Sequence, residues 1–233
     1  MPEPNPTPQP EREFHFEAIA GLEAPMKKII ESMGDSLYEY DLILGEDASG
    51  RIPTLVFGDF LGRVKGKRVP TYFYSPGHWI PEGEKWGGVL EEYFNKIISR
   101  EHATRPLVVT EYVYSGRSMG YGLRALNSVG IKADIATVLR HDPDGDALSK
   151  LAVKVWSGGL WHHGDPPLYK LKYNHYINGV TQSRGKDSPV SASPGDTSPR
   201  VRADIREARE DAKLLADKLY EWWIDKSSNS NDQ

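Results

Sequence analysis

Two short stretches of this chain gather acid, hydroxyl, glycine and arginine within a few residues of one another. Gly45-Glu46-Asp47-Ala48-Ser49-Gly50-Arg51 follows the apolar run Tyr40 to Leu44, and Glu111-Tyr112-Val113-Tyr114-Ser115-Gly116-Arg117-Ser118 follows Leu107 to Thr110. The second stretch has the parts of a monophosphate cradle. Ser115 and Ser118 offer hydroxyl donors, Gly116 lets the backbone come close to an anion, and a following helix would present its first amides. Glu111, at the strand end, would sit about one sugar away, where a carboxylate can accept hydrogen bonds from a ribose diol or help hold a divalent cation that keeps its water. A tight strand-to-helix turn, with Ser and Gly serving only as cap and bend, accounts for the same residues as well.

Such turns need strands and helices to hold them. Tyr40 to Gly45, Pro70 to Tyr74, Pro106 to Glu111 and Asp134 to Leu139 read as buried strands, because each is a short, nearly continuous apolar run. Between them, Pro25 to Met33, Ile52 to Val64, Trp86 to Arg100 and Ser118 to Val129 have helical periodicity, the last with Ser118 as cap and Gly130 as terminator. Strands recurring with intervening helices predict right-handed crossovers and an α/β fold: an open, mainly parallel sheet with flanking helices. In such sheets ligands collect beyond the carboxyl ends of the strands, where both chemical turns fall. Lys154 to Ser157 and Leu168 to Tyr173 read as further strands without fixing a topology.

Composition narrows the classes. At 233 residues, 38% apolar and 27% charged, the chain can bury one sizeable core or two small ones, which excludes collagen, coiled-coil rod and wholly disordered architectures. Lys and Arg number 29 against 33 Asp and Glu, a formal charge of -4, so the whole-molecule field repels a phosphate backbone and a nucleic-acid partner is not expected without a local patch. The absence of cysteine removes thiolate nucleophiles, disulfides and Cys-ligated zinc. No apolar run approaches the ~20 residues that cross a bilayer, so no membrane association and a cytoplasmic location are the expectations.

The domain plan follows from the same patterning. Residues 1–13 alternate proline with polar residues and read as a disordered leader, and 14–180 read as the α/β domain. Residues 181–199 are mostly Ser, Thr, Gly and Pro and read as a flexible linker. Residues 200–226 form an amphipathic helix, with Ile205, Ala208, Ala212, Leu215, Leu219 and Trp222 on one stripe, and 227–233 read as a disordered tail. The stripe must be covered, by the helix's own domain or by a second copy.

The run Leu107 to Ser118, followed by Gly122-Leu123-Arg124-Ala125-Leu126, resembles the phosphoribosyl-pyrophosphate signature of type I phosphoribosyltransferases: an apolar strand, two acids, a short apolar spacer, then Thr-Gly-Gly/Arg-Thr/Ser and an Ala- and Leu-rich helix. Gly45 to Gly50 is similar to the pyrophosphate loop of the adenine and orotate members. The resemblance covers roughly Leu37 to Leu139. It implies that Tyr114, Ser115, Gly116, Arg117 and Ser118 anchor a 5'-phosphate, that Thr110 and Glu111 face the ribose, and that Asp47, Ala48, Ser49, Gly50 and Arg51 hold pyrophosphate. Mg is the implied cofactor, carried through ligand and water, and a homodimer is a common assembly of the family. The loop Ser75 to Trp86 takes the place of the family's mobile flap, from which Lys85 or His78 would bring a cation to the leaving group.

The implied activity is transfer of phosphoribosyl from phosphoribosyl pyrophosphate to a nucleobase-type acceptor. Two features keep a second reading open, a non-catalytic nucleotide-binding or regulatory module. Thr110 stands where the family usually has its first acid, and the run Pro70 to Tyr74 ends in Ser75-Pro76-Gly77 without a basic residue. An RNA-binding regulator on the same fold comes last, for want of an evident basic stripe. Asp142, Asp144 and Asp146 alternate as in a calcium loop, but Ala147 and Val153 stand where glycine and a bidentate Glu are needed. His162 and His163 are adjacent and diverge on a strand, which disfavours shared metal ligation.

Overall fold

A computed structural model describes residues 12–46, 50–75, 86–141, 148, 150–160 and 198–230. The elements run α1 (Glu17–Ala20), α2 (Glu23–Met33), a 3-10 turn (Gly34–Tyr38), β1 (Leu42–Glu46), α3 (Arg51–Val64), β2 (Thr71–Tyr74), α4 (Trp86–Glu101), β3 (Pro106–Val113), α5 (Arg117–Ser128), β4 (Asp134–Arg140), β5 (Val155–Ser157) and α6 (Pro199–Ser230). The five strands form one sheet in the order β2-β1-β3-β4-β5, and every pairing is parallel. This is the open parallel α/β fold that the alternating pattern predicts. Residues 1–11 of the leader, the proposed strand Leu168 to Tyr173, most of 181–199 and the residues after 230 lie outside the described residues.

Both faces of the sheet are covered because its strands are apolar on both. Ile43, Leu107, Val109, Ala136 and Val138 point to one side and join Met26, Ile29 and Ile30 of α2, Val56, Phe57 and Phe60 of α3, and the buried stripe of α6. Leu42, Leu44, Val108 and Ile135, one residue out of phase, point to the other and meet Leu90, Phe94 and Ile97 of α4 and Met119, Leu123 and Leu126 of α5. Chain direction across the sheet reverses after β2, so the connection through α3 lies on one face and those through α4 and α5 on the other, as right-handed crossovers require.

Helix α6 docks on α3 and also touches α1 and α2. Ala208, Ala212, Leu215 and Leu219 of the expected stripe are buried, along with Val201, Leu214 and Ala216, while Ile205 and Trp222 are only partly covered. The stripe is therefore taken up within the chain. Ion pairs from Arg63 to Asp217 and from Lys226 to Glu31 flank the contact, and the helix continues through Ser230.

The amino ends of the strands are tied by polar groups. Asp134, fully buried at the start of β4, accepts the Tyr40 hydroxyl at 2.7 Å, Arg105 Nη2 at 3.1 Å and the Lys154 amide at 3.0 Å, and Trp156 Nε1 donates to the Tyr40 oxygen at 2.8 Å. Asp41 accepts the amides of Thr104 and Arg105 at 2.7 and 3.0 Å. Residues before β1 and β3, and the first residues of β4 and β5, are thus pinned together, which fixes the register and with it the height of the opposite, carboxyl ends.

Candidate functional site

Strands β1 and β3 are neighbours, with Leu44 opposite Val108 and Gly45 opposite Val109. From β1 the chain departs toward β2 on one side, and from β3 it departs toward β4 on the other. Loops leaving two such strands diverge and open a crevice between them. The two turns singled out by their chemistry, far apart in sequence, are the two that border this crevice, and helices α3 and α5 start immediately beyond them at Arg51 and Arg117.

Gly50, the residue before α3, is held close against the sheet. It donates its amide to the Glu46 carbonyl at 3.0 Å and accepts from the Thr54 amide at 2.9 Å. A Cβ added at Gly50 would lie 2.4 Å from the Glu46 carbonyl oxygen and 2.8 Å from that of Val109, both backbone atoms that cannot step aside. Gly50→Ala should therefore push the turn off the β1–β3 seam at about 1–3 kcal/mol, the usual cost of overpacking; an unshifted urea midpoint for the variant would show that the seam is looser than this geometry. Arg51 lays its guanidinium 4.9 Å from the Phe73 ring centroid. The positive charge that β2 lacks in its own sequence thus reaches the end of β2 from α3.

The turn after β3 differs from expectation in two respects. The strand does not stop at Glu111 but runs on through Val113, because Tyr112 and Val113 pair with Leu139 and Arg140. Thr110 and Glu111 accordingly sit inside the strand and are buried, at 1% and 0% exposure, whereas Tyr114, Ser115 and Arg117 are exposed. Ser118 is not the cap of α5: that position is Gly116, in the left-handed conformation at φ 67°, with Ser115 Oγ accepting the Arg117 amide at a long 3.4 Å. Leu148 packs where a Gly116 side chain would go, so glycine serves both the turn conformation and close packing. Gly130, at φ 81°, does end the helix, its amide bonded to the Asn127 carbonyl.

In the sequence Glu46 reads as part of the loop, yet it is the last residue of β1, paired with Tyr74 and only 7% exposed. Strand alternation puts its carboxylate on the α4–α5 face. Burial, and then the Glu46 charge, push the Tyr74 hydroxyl well above the usual tyrosine range. Tyr112 is raised likewise, first by burial and then by Tyr114 and Glu111. Tyr114 lies 4.9 Å from His141, its ring tilted by 56°, and 6.3 Å from Tyr112, forming a small aromatic surface above β3 and β4. An acid closing an otherwise apolar strand was the signal that could have singled out Glu46.

Asp47, Ala48 and Ser49 of the first turn, Lys85 and His78 of the flap, the aspartates 142–146 and the histidine pair 162–163 all lie outside the described residues. Among the described residues, no three or more His, Asp or Glu side chains gather in a way that could hold a metal ion by themselves, and no helix is long and apolar enough to cross a membrane.

No family model matches the chain, and no curated protein matches it. Among solved structures it is similar to a hypothetical protein from Neisseria gonorrhoeae with bound ppGpp (13% identity, 82% of this chain and 93% of that one, TM-score 0.41). It is similar also to a hypoxanthine phosphoribosyltransferase from Staphylococcus aureus (13% identity, 60% and 74%, TM-score 0.35) and to a protein of Thermus thermophilus (12% identity, 91% and 99%, TM-score 0.39). Among the described residues, the chain's own strand order sets Gly50 and Gly116 beyond the carboxyl ends of two neighbouring strands of an open parallel sheet.

Proposed function

We propose that this crevice binds the ribose-5-phosphate portion of phosphoribosyl pyrophosphate or of a nucleotide, and that the protein transfers phosphoribosyl to a nucleobase-type acceptor. The observation that carries the reading is the placement of the two motif-bearing turns on adjacent parallel strands at the point where the strand order reverses. Tyr114 to Ser118 anchor the 5'-phosphate through the Ser115 and Ser118 hydroxyls and the first amides of α5. Asp47 to Arg51 hold the pyrophosphate, with the Arg51 guanidinium and the first turn of α3 supplying positive potential. Thr110 and Glu111 take the ribose hydroxyls once the crevice opens around them.

In the transfer, a ring nitrogen of the acceptor gives its lone pair to the anomeric carbon. The bond from that carbon to the pyrophosphate oxygen breaks, pyrophosphate leaves with the electron pair, and the proton of the acceptor nitrogen passes to solvent. A magnesium ion suits a donor set made of ligand phosphate and ribose oxygens, water and the Glu111 carboxylate, since it prefers hard oxygen and keeps several waters; bound there it would neutralise charge on the leaving group. Lys85 or His78 would bring a second positive charge to the leaving group.

The replacement of one acid by Thr110 favours a second reading, in which the crevice binds a nucleotide without turnover. Calorimetry with phosphoribosyl pyrophosphate and Mg, followed by a screen of bases for pyrophosphate release, separates the two. Release with some base supports transfer, binding without release under every base supports the binding module, and no binding at all overturns both. Ser115→Ala combined with Ser118→Ala should weaken binding by about 1–3 kcal/mol with little change in melting, because neither hydroxyl fills a core. Equal affinity in parent and double variant would move the phosphate elsewhere.

A further inference from the structure

Beside the apolar stripe of α6 runs a basic one. Arg202, Arg206, Arg209 and Lys213 recur at spacings of 4, 3 and 4, which places all four on one narrow line about 16 Å long. All four are exposed, and among the described residues none forms an ion pair, although acids are plentiful in this chain. Neighbours on the line are like charges three or four residues apart, an arrangement that destabilises a helix unless an anion lies across it.

A second wall makes this line a groove. Asp211, 1% exposed, accepts the amides of His15 and Phe16 at 3.0 and 2.8 Å and so straps the segment before α1 onto α6. Arg12 is thereby brought to the groove, where Glu210 holds it at 3.2 Å; His15 Nε2 lies 3.6 Å from the same carboxylate. The resulting groove, of about 380 Å³, is lined by Arg12, Arg202, Arg206, Arg209 and Lys213, with Ile205 as its apolar wall and Glu210 as its single acid. Five cations against one carboxylate is a local excess opposite in sign to the net charge of -4. Four of the five are arginines, whose planar guanidinium grips phosphate through two parallel hydrogen bonds.

We propose that this groove binds a chain of phosphates, at a place distinct from the crevice assigned to phosphoribosyl pyrophosphate or a nucleotide. Phosphate chemistry is favoured over carboxylate by the arginine content, and a chain over an isolated ion by the linear spacing. Its source is either free polyphosphate or the backbone of single-stranded nucleic acid.

The test uses the full-length chain, with inorganic polyphosphate and a mixed-sequence single-stranded RNA as separate probes in anisotropy or competition titrations over a salt series. The doubly reversed variant Arg206→Glu, Arg209→Glu is compared after circular dichroism has shown it folded, with Arg206→Lys, Arg209→Lys as the charge-keeping control. Expected are binding that weakens steeply with salt, on the order of tenfold or more loss in the reversed variant, and a smaller loss in the lysine variant. Polyphosphate binding alone assigns the free source and RNA binding alone the nucleic-acid source. No binding of either probe at low salt, equal affinity in the reversed variant, equal affinity for polyglutamate, or binding only to phosphatidylserine vesicles would each overturn the proposal. Because the crevice residues are untouched, phosphoribosyl pyrophosphate affinity should be the same in both variants, so failure here is distinguishable from failure there.

Discussion

A chain ending after Ser198 is expected to be insoluble or to lose its cooperative melting transition. The lost helix buries Val201, Leu214, Leu215 and Leu219 together with three alanines, and its removal uncovers Phe57 and Phe60 of α3 from the side. Fully burying one Val or Leu side chain is worth ~1.5–3 kcal/mol, so these four alone amount to about 6–12 kcal/mol, the same size as the ~5–15 kcal/mol that keeps a domain folded. Light scattering and thermal melting of the shortened chain check this. A monodisperse product that melts like the parent would mean that α6 is an unanchored appendage.

Replacing Asp134 with alanine should be the most damaging single substitution. Its carboxylate is fully buried and accepts three hydrogen bonds, from Tyr40, Arg105 and Lys154. Removing it leaves the buried Tyr40 hydroxyl without its acceptor and unties Arg105 and the Lys154 amide, a loss of about 3–5 kcal/mol, and at roughly 2–4 °C per kcal/mol for a chain of this size the melting point should fall by about 6–20 °C. The same cluster sets an alkaline limit. Burial, and then Asp134, push the Tyr40 hydroxyl above its ordinary value of 10, so above that pH the unfolded chain releases a proton that the folded one keeps. Stability from this group is present below pH ~10 and is lost as pH rises; the loss should be shallower in Asp134→Ala, where the upward push of the Asp134 carboxylate is gone. A parent whose melting point is level from pH 9 to 11 would contradict the assignment.

What could be read in advance divides along physical lines. Strands β1 to β4 were legible because a parallel sheet covered on both faces leaves continuous apolar runs such as Leu107-Val108-Val109, and helices α2 to α5 because each buries one side against it. The short α1 and the 3-10 turn carry too few residues for a period to show. Residues at the seams were misplaced: Glu46 and Tyr112 look like loop residues until their partners Tyr74 and Leu139 are known. The Tyr40–Asp134–Trp156 cluster joins positions that only the strand order brings together. The basic line on α6 was hidden by averaging, because a net charge of -4 says nothing about which face carries Arg202 to Lys213.

The seat of α6 on α3 also governs the order in which the molecule can be made. Helix α3 leaves the ribosome early, but the surface it offers to Leu215 and Leu219 has no cover until α6 emerges roughly 130 residues later, which at about 5 to 20 residues per second is on the order of ten seconds of synthesis. For that interval one face of the sheet's helical layer is an adhesive surface on a tethered nascent chain. Synthesis in a reconstituted translation system should consequently give more soluble product when a holdase chaperone is present, and slowing elongation should widen the difference.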